Sequence, residues 1–181
     1  MEVIAVHVER CIGCKTCELT CATERGSEAK TLLAAVHEAA KPQARLRVEG
    51  ANGISMPVQC RHCLDAPCLD ACLTGALQRN AQGLVEVKHD LCIGCWTCVM
   101  FCPYGAIFPW PDHKLALKCD RCAHMEEPAC VDVCPTQALE LIDPAACDDA
   151  YRERRRSAVA LAGDARMADA SNSLVALELT E

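Results

Sequence analysis

The sequence predicts a small α+β fold built from one loop–helix–strand unit used repeatedly, on the strength of three observations. Sixteen of the seventeen cysteines fall into four groups of four that share one spacing theme. Aromatic side chains number six among 181 residues, too few for a conventional core. The segments Cys72–Leu77, Cys102–Ile107 and Cys134–Leu139 repeat one pattern, and repeats of this kind stack to bury a shared interior.

The elements follow in order along the chain. Val3–Val8 is β-branched and apolar and predicts a short strand leading into the first cysteine group. An alanine-rich polar stretch from Ala22 to Ala40 predicts helix, stopped ahead of Pro42 because proline pushes its predecessor out of helix. Gln43–Val48 and Ile54–Val58, separated by Gly50, Asn52 and Gly53, predict a hairpin entering the second group. In the repeated segments the last cysteine is expected to open a short helix. Pro103 suits a first helical position, where its missing N–H costs nothing. Leu77–Arg79 and Leu84–Val87 flank Asn80–Gly83 as a further hairpin, and Lys114–Leu117 predicts a strand. Beyond Leu141 the cysteine pattern stops. Pro144 with Asp148 and Asp149 predicts a helix from Ala150 to about Ala168, acidic at its start as the helix dipole prefers.

The cysteine spacing carries the chemistry. Cys11, Cys14, Cys17 and Cys21 read C-x2-C-x2-C-x3-C, and Cys60, Cys63, Cys68 and Cys72 read C-x2-C-x4-C-x3-C. Cys92, Cys95, Cys98 and Cys102, followed by Pro103, have the spacing of a bacterial ferredoxin run. Cys119, Cys122, Cys130 and Cys134, followed by Pro135, stretch the middle gap. Sixteen thiolates suffice for four cubane [4Fe–4S] clusters. Three closely spaced cysteines wrap one face of a cubane, and the fourth points away to a neighbouring cluster. The groups must therefore work in couples. Spacing alone permits the first to couple with the second or with the fourth.

Other uses of so many cysteines fit less well. Disulfides need a secretory context, and the first group opens at Cys11, leaving no room for a signal peptide. Zinc ribbons use two separated C-x2-C knuckles and need neither the third cysteine nor the fourth at this spacing. The apolar runs Thr31–Val36 and Ala158–Ala162 are too short to span a bilayer, so a cytoplasmic protein is expected, with export alongside a signal-bearing partner left open. The formal charge of −7 becomes about −15 when each of four sites adds roughly −2. That charge argues against nucleic acid and favours basic faces on redox partners. Without metal the chain is expected to be largely unfolded, because ligand binding and folding are coupled.

With all four groups in place, the chain resembles the four-cluster ferredoxin-type subunits of oxidoreductase complexes. These include the iron–sulfur subunits of formate dehydrogenase and dimethyl sulfoxide reductase. The small electron-transfer subunits of formate hydrogenlyase, carbon monoxide dehydrogenase and tungsten aldehyde oxidoreductase belong to the same set. The resemblance covers residues 1 to about 142. It implies two pseudosymmetric bacterial-ferredoxin-like lobes, one from 1–59 with 109–142 and one from 60–108, each holding two [4Fe–4S] clusters. A C-terminal helical extension over 143–181 completes the chain. By the same resemblance one cluster would take Cys11, Cys14, Cys17 and Cys134, and the next Cys21, Cys119, Cys122 and Cys130. In the other lobe Cys60, Cys63 and Cys68 would join Cys102, and Cys92, Cys95 and Cys98 would join Cys72.

Several further residues are candidates. Cys147 has no cysteine neighbour and reads as a small buried or incidental thiol. His62 and His124 lie in or beside the cysteine loops, where complete thiolate sets leave them supporting or surface roles. Trp96 is expected to pack beside a cluster. Lys15, Arg61, Lys118 and Arg121 bring positive charge to the loops, which favours a reduced cluster. Arg152, Arg154, Arg155 and Arg156 read as a solvated helix face, or more sharply as a dock for an acidic partner or a second copy.

No triad, phosphate loop or dinucleotide fingerprint appears, so a non-catalytic electron-transfer subunit is expected. It would relay single electrons between a catalytic subunit and an acceptor such as a flavin or NAD-linked subunit. The catalytic partner would be a molybdenum or tungsten pterin enzyme, a hydrogenase or a carbon monoxide dehydrogenase. The rival readings are a freestanding soluble polyferredoxin and a structural zinc scaffold.

Overall fold

The structure, a computed structural model, describes residues 2–51 and 53–143. The apolar N-terminal segment forms β1 (Val3–Val6), shorter than expected because a 3-10 turn, Val8–Arg10, takes over after it. It pairs antiparallel with the last described strand, β8 (Leu139–Ile142), in the register Val3 to Ile142 and Val6 to Leu139. The two ends of this part of the chain are thereby tied together.

The helix expected over 22–40 begins earlier and is broken. It is two helices, α1 (Thr16–Gly26) and α2 (Leu32–His37). Lys15, left-handed at φ 61°, turns the cysteine loop into α1. Gly26 ends it, because the chain passes so close that a Cβ there would lie 2.8 Å from the Gln43 nitrogen. The buried Ser27 then donates its hydroxyl to Glu38 Oε1 at 2.5 Å, holding the break in place. α2 restarts under Thr31, whose Oγ1 accepts the Ala34 N–H at 3.4 Å.

The first hairpin, β2 (Arg47–Ala51) with β3 (Ile54–Val58), also starts later than expected. Leu46 is 1% exposed, and the Arg45 N–H is given to Cys21 Sγ at 3.2 Å rather than to a strand. Next come α3 (Pro67–Asp70) and the hairpin β4 (Leu77–Arg79) with β5 (Val85–Val87). Asn80 closes that hairpin, its Oδ1 accepting the N–H groups of Gln82 and Leu84. α4 (Thr97–Phe101), β6 (Ile107–Trp110), β7 (Leu115–Lys118) and α5 (Ala129–Asp132) complete the elements. β6 pairs with β7 and is a strand the spacing does not predict.

One expectation is overturned. The last cysteine of a group does not open a helix; the third cysteine lies inside one. Cys68, Cys98 and Cys130 sit within α3, α4 and α5, while Cys72, Cys102 and Cys134 follow those helices and enter turns. The reason is competition for backbone donors. Cys102 Sγ accepts the Ala106 N–H at 3.3 Å and Cys134 Sγ accepts the Ala138 N–H at 3.2 Å, so each amide is diverted from helical bonding. Pro103 accordingly lies in a turn.

Two apolar centres result. One gathers Ala66, Cys68, Leu77, Val85, Cys98, Ile107 and Ala116, with α3 against α4. The other gathers Cys17, Cys21, Leu46, Cys130 and Leu139, with α1 against α5. Cysteine sulfur supplies much of both, as the shortage of aromatic residues requires. The described residues up to Ile142 form one compact unit, and the expected division after residue 108 falls within β6. Among the described residues no helix is long and apolar enough to cross a membrane. The helix expected from Ala150, Cys147 and the arginines from Arg152 to Arg156 lie outside the described residues.

Gly94 and Gly75 make a matched test of this packing. Both are left-handed, at φ 67° and 66°, but a Cβ would meet nothing within 4 Å at Gly75 and the Lys114 carbonyl oxygen at 2.2 Å at Gly94. Gly75→Ala should lose about 1–2 kcal/mol from backbone strain alone. Gly94→Ala should lose clearly more, since backbone must move. Anaerobic urea denaturation of the two variants measures the difference.

Candidate iron–sulfur centres

Each cysteine loop is shaped by a left-handed residue in its first x2 gap. Gly13 and Gly94 occupy that position in the first and third groups, and His62 and Arg121 occupy it in the second and fourth. The turn aims amides and hydroxyls at sulfur. His62 N–H donates to Cys60 Sγ and Arg121 N–H to Cys119 Sγ, each at 3.3 Å. Thr16 Oγ1 donates to Cys14 Sγ at 3.4 Å, and Thr97 Oγ1 to Cys95 Sγ at 3.5 Å. Leu77 N–H reaches Cys72 Sγ at 3.4 Å. Donors of this kind stabilise sulfur as thiolate.

Three cavities are each lined by four cysteines. The first, about 350 Å³ with its open mouth, takes Cys92, Cys95 and Cys98 from one loop and Cys72 from another. The second, about 320 Å³, takes Cys11, Cys14 and Cys17 with Cys134. The third, about 310 Å³, takes Cys119, Cys122 and Cys130 with Cys21. The remaining cysteines also meet, since Cys68 interacts electrostatically with Cys60, Cys63 and Cys102. Ile12, Lys15 and Val48 help to line the second cavity, and Trp96 and Ile93 the first.

These surroundings fit a polynuclear iron–sulfur group. The donors are all sulfur, the choice of soft or cluster-bound metals. The remaining lining is largely apolar in the first two cavities, and in the third it includes Arg25, Arg45, Asp120 and Arg121.

The thiols differ in environment. Burial pushes Cys17, Cys21 and Cys98 up to about 11 and Cys119 up to about 12, and pushes Cys130 upward as well. The exposed Cys14 and Cys95 lie below the usual thiol range, because Thr16 and Thr97 donate to them. Burial raises Cys72 and Cys134 too, but backbone N–H donors outweigh it and the net shift is downward. Loading a metal group must therefore expel protons from the buried thiols above all.

Polar groups fill the ground between the two apolar centres. Lys118, 4% exposed, donates from Nζ to the Val85 carbonyl at 2.6 Å and the Cys119 carbonyl at 3.0 Å. Its charge acts on both Cys68 and Cys119. His62, equally buried, accepts the Val85 N–H on Nδ1 at 3.1 Å. Burial first, then the Lys118 and Arg121 cations, hold it down at about 3, so the imidazole is neutral. Asp120 accepts the Cys122 N–H at 3.1 Å and pairs with Arg45 at 2.8 Å and with Arg25. That ion triad is legible only in the fold, since its members lie far apart in sequence. Of the other candidates, Arg61 stacks over the Tyr104 ring at 4.2 Å, and His124 Nδ1 lies 3.3 Å from Arg25 Nη1.

Known proteins resemble this chain closely. The 4Fe-4S dicluster domain family matches residues 51–144, and a 4Fe-4S binding domain matches residues 8–24. An iron-sulfur protein of Rhodospirillum rubrum is 37% identical over 174 residues, covering 87% of this chain and 90% of its own length. The electron transport protein HydN of Escherichia coli is 37% identical over 169 residues, covering 84% of this chain and 94% of its own. A Haemophilus influenzae protein named as one component of anaerobic dimethyl sulfoxide reductase is 37% identical over 143 residues, covering 73% of this chain and 69% of its own.

Lys118→Met removes a buried charge and keeps an unbranched side chain one atom shorter. Losing one unit charge near Cys68 and Cys119 should lower the reduction constants of the groups they serve by about tenfold or more. An EPR-monitored redox titration of the purified protein measures that change.

Proposed function

Because the chain belongs to the 4Fe-4S dicluster family of ferredoxin-type iron–sulfur electron-transfer proteins, we propose that it holds four [4Fe–4S] clusters and serves as the relay subunit of an oxidoreductase complex. The ligand sets are Cys11, Cys14, Cys17 and Cys134; Cys21, Cys119, Cys122 and Cys130; Cys60, Cys63, Cys68 and Cys102; and Cys72, Cys92, Cys95 and Cys98. When bound, the clusters supply one-electron redox chemistry. The cysteine loops bind them, the loop amides and threonine hydroxyls stabilise the thiolates, and the apolar lining excludes water.

The observation that carries the reading is the electrostatic proximity of neighbouring sets. Cys130 interacts with Cys17, Cys119 with Cys60, and Cys98 with Cys68. These links order the proposed sets as a series, with the exposed Cys14 in the first and the exposed Cys95 in the last. The two inner sets have no exposed cysteine. A series with an exposed cysteine at each end suits transfer between two partners. One partner is a catalytic subunit, of the molybdenum or tungsten pterin, hydrogenase or carbon monoxide dehydrogenase type. The other is an acceptor such as a flavin or NAD-linked subunit. The relative named as a component of dimethyl sulfoxide reductase supports a subunit role. The segment after Asp143 is the candidate dock for the catalytic partner.

Anaerobically purified protein should contain about sixteen iron and about sixteen sulfide per chain. A colourless preparation holding zinc would sink the proposal. Truncation after Asp143, which leaves β8 whole, should keep the iron and release the co-purifying catalytic subunit; undiminished assembly would remove the docking role. A native protein that migrates alone in extract would instead identify a freestanding shuttle.

A further inference from the structure

His62 occupies a backbone position that two of the four cysteine loops fill with glycine. Its φ is 47°, against 68° at Gly13 and 67° at Gly94. A histidine there is strained where glycine would not be, and strain of this kind points to a use for the side chain. That side chain is 4% exposed. Nδ1 accepts the Val85 N–H at 3.1 Å, so in the neutral ring the proton sits on Nε2. Nε2 has no hydrogen-bond partner. Two other buried polar atoms among the described residues share that condition, Gln59 Oε1 and Arg25 Nε. The first is an acceptor, and the second belongs to a guanidinium already paired with Asp120. His62 Nε2–H is thus a buried donor aimed at nothing the protein supplies.

The surroundings narrow what it meets. His62 lies between Cys60 and Cys63, and its ring is within electrostatic reach of Lys118, Asp120 and Arg121. Cys60 and Cys119 approach each other in the same region. At the matching position of the fourth group, Arg121 sends its guanidinium away to the Glu2 carbonyl instead. The fourth group thus offers no matching ring donor.

We propose that His62 Nε2–H donates a hydrogen bond to a sulfur of the cluster held by Cys60, Cys63, Cys68 and Cys102, and that the bond favours the reduced form of that cluster. The inference rests on the four-cluster reading. The added electron places negative charge on sulfur, and a fixed N–H donor stabilises it without any proton changing hands. Val85 sets the ring's direction from the opposite nitrogen, while its carbonyl holds Lys118. Histidine and lysine thus act on the inner sites through one backbone unit.

The test uses the full-length loaded protein grown with ¹⁵N-histidine, reduced stepwise and read by pulsed EPR. The expected result is a ¹⁵N coupling with an exchangeable proton at one reduced cluster. It should vanish in His62→Phe and return in part in His62→Gln. In His62→Phe that cluster's reduction constant should fall by about tenfold, the order for one hydrogen bond to a charged group, with the other three unchanged. Unchanged constants in a fully loaded His62→Phe would overturn the proposal. If that variant loses iron, the labelled wild-type spectrum decides alone: coupling supports the bond, and its absence overturns it. Iron and sulfide assayed on the same sample separate the two readings. A sample short of both overturns the four-cluster reading and this bond together; a fully loaded sample without the nitrogen coupling overturns the bond alone.

Discussion

Three of the cysteine cavities take three thiols from one loop and the fourth from a segment far away in sequence. No loop can complete such a site by itself. Cys134 must return to the loop of Cys11, and the β1–β8 pairing brings it there. Cys21 must reach the loop of Cys119, and the packing of α1 on α5 brings it there. The tertiary contacts are thus the contacts that close the sites. A chain with so few large apolar side chains depends on that coincidence, since few fully buried side chains are as large as Leu46, Leu84 and Ile107.

The same constraint explains the polar character of the middle of the molecule. Thiolates and reduced iron–sulfur groups are anionic, and they need donors and cations where water is excluded. Lys118, His62 and the Arg25–Asp120–Arg45 triad answer that need with side chains that are buried or largely so. Lys118 is held by two backbone carbonyls, which fixes its charge beside Cys68 and Cys119 at once. The outer sites are more open to solvent. Cys14 and Cys95 are exposed, and a threonine hydroxyl stabilises each sulfur in the company of solvent.

Local signals in the sequence suffice where the local chain alone decides the outcome. The Asn80 turn places β4 and β5 almost to the residue, because its hydrogen bonds are made within the hairpin. The helix after Cys21 is legible only in part because its ends depend on distant partners: Gly26 stops against Gln43, and Ser27 is held by Glu38. The turns at Cys72, Cys102 and Cys134 escape sequence reading for a different reason. Propensity scales count backbone bonding, and here cysteine sulfur takes the amide instead.

By itself the sequence determined the chemistry: sixteen cysteines at these spacings name the kind of group to be bound, because metal ligation depends on residue type and short-range reach. It left open which loops share a site, and spacing could not choose between the second and fourth groups as partner for the first. Only the tertiary structure decided that Cys134 lies with Cys11, Cys14 and Cys17, since strand pairing across the whole described chain sets that distance. It alone also decided that His62 and Lys118 are buried side by side around Val85. Burial is a property of the packed interior, and neither residue's neighbours in sequence announce it.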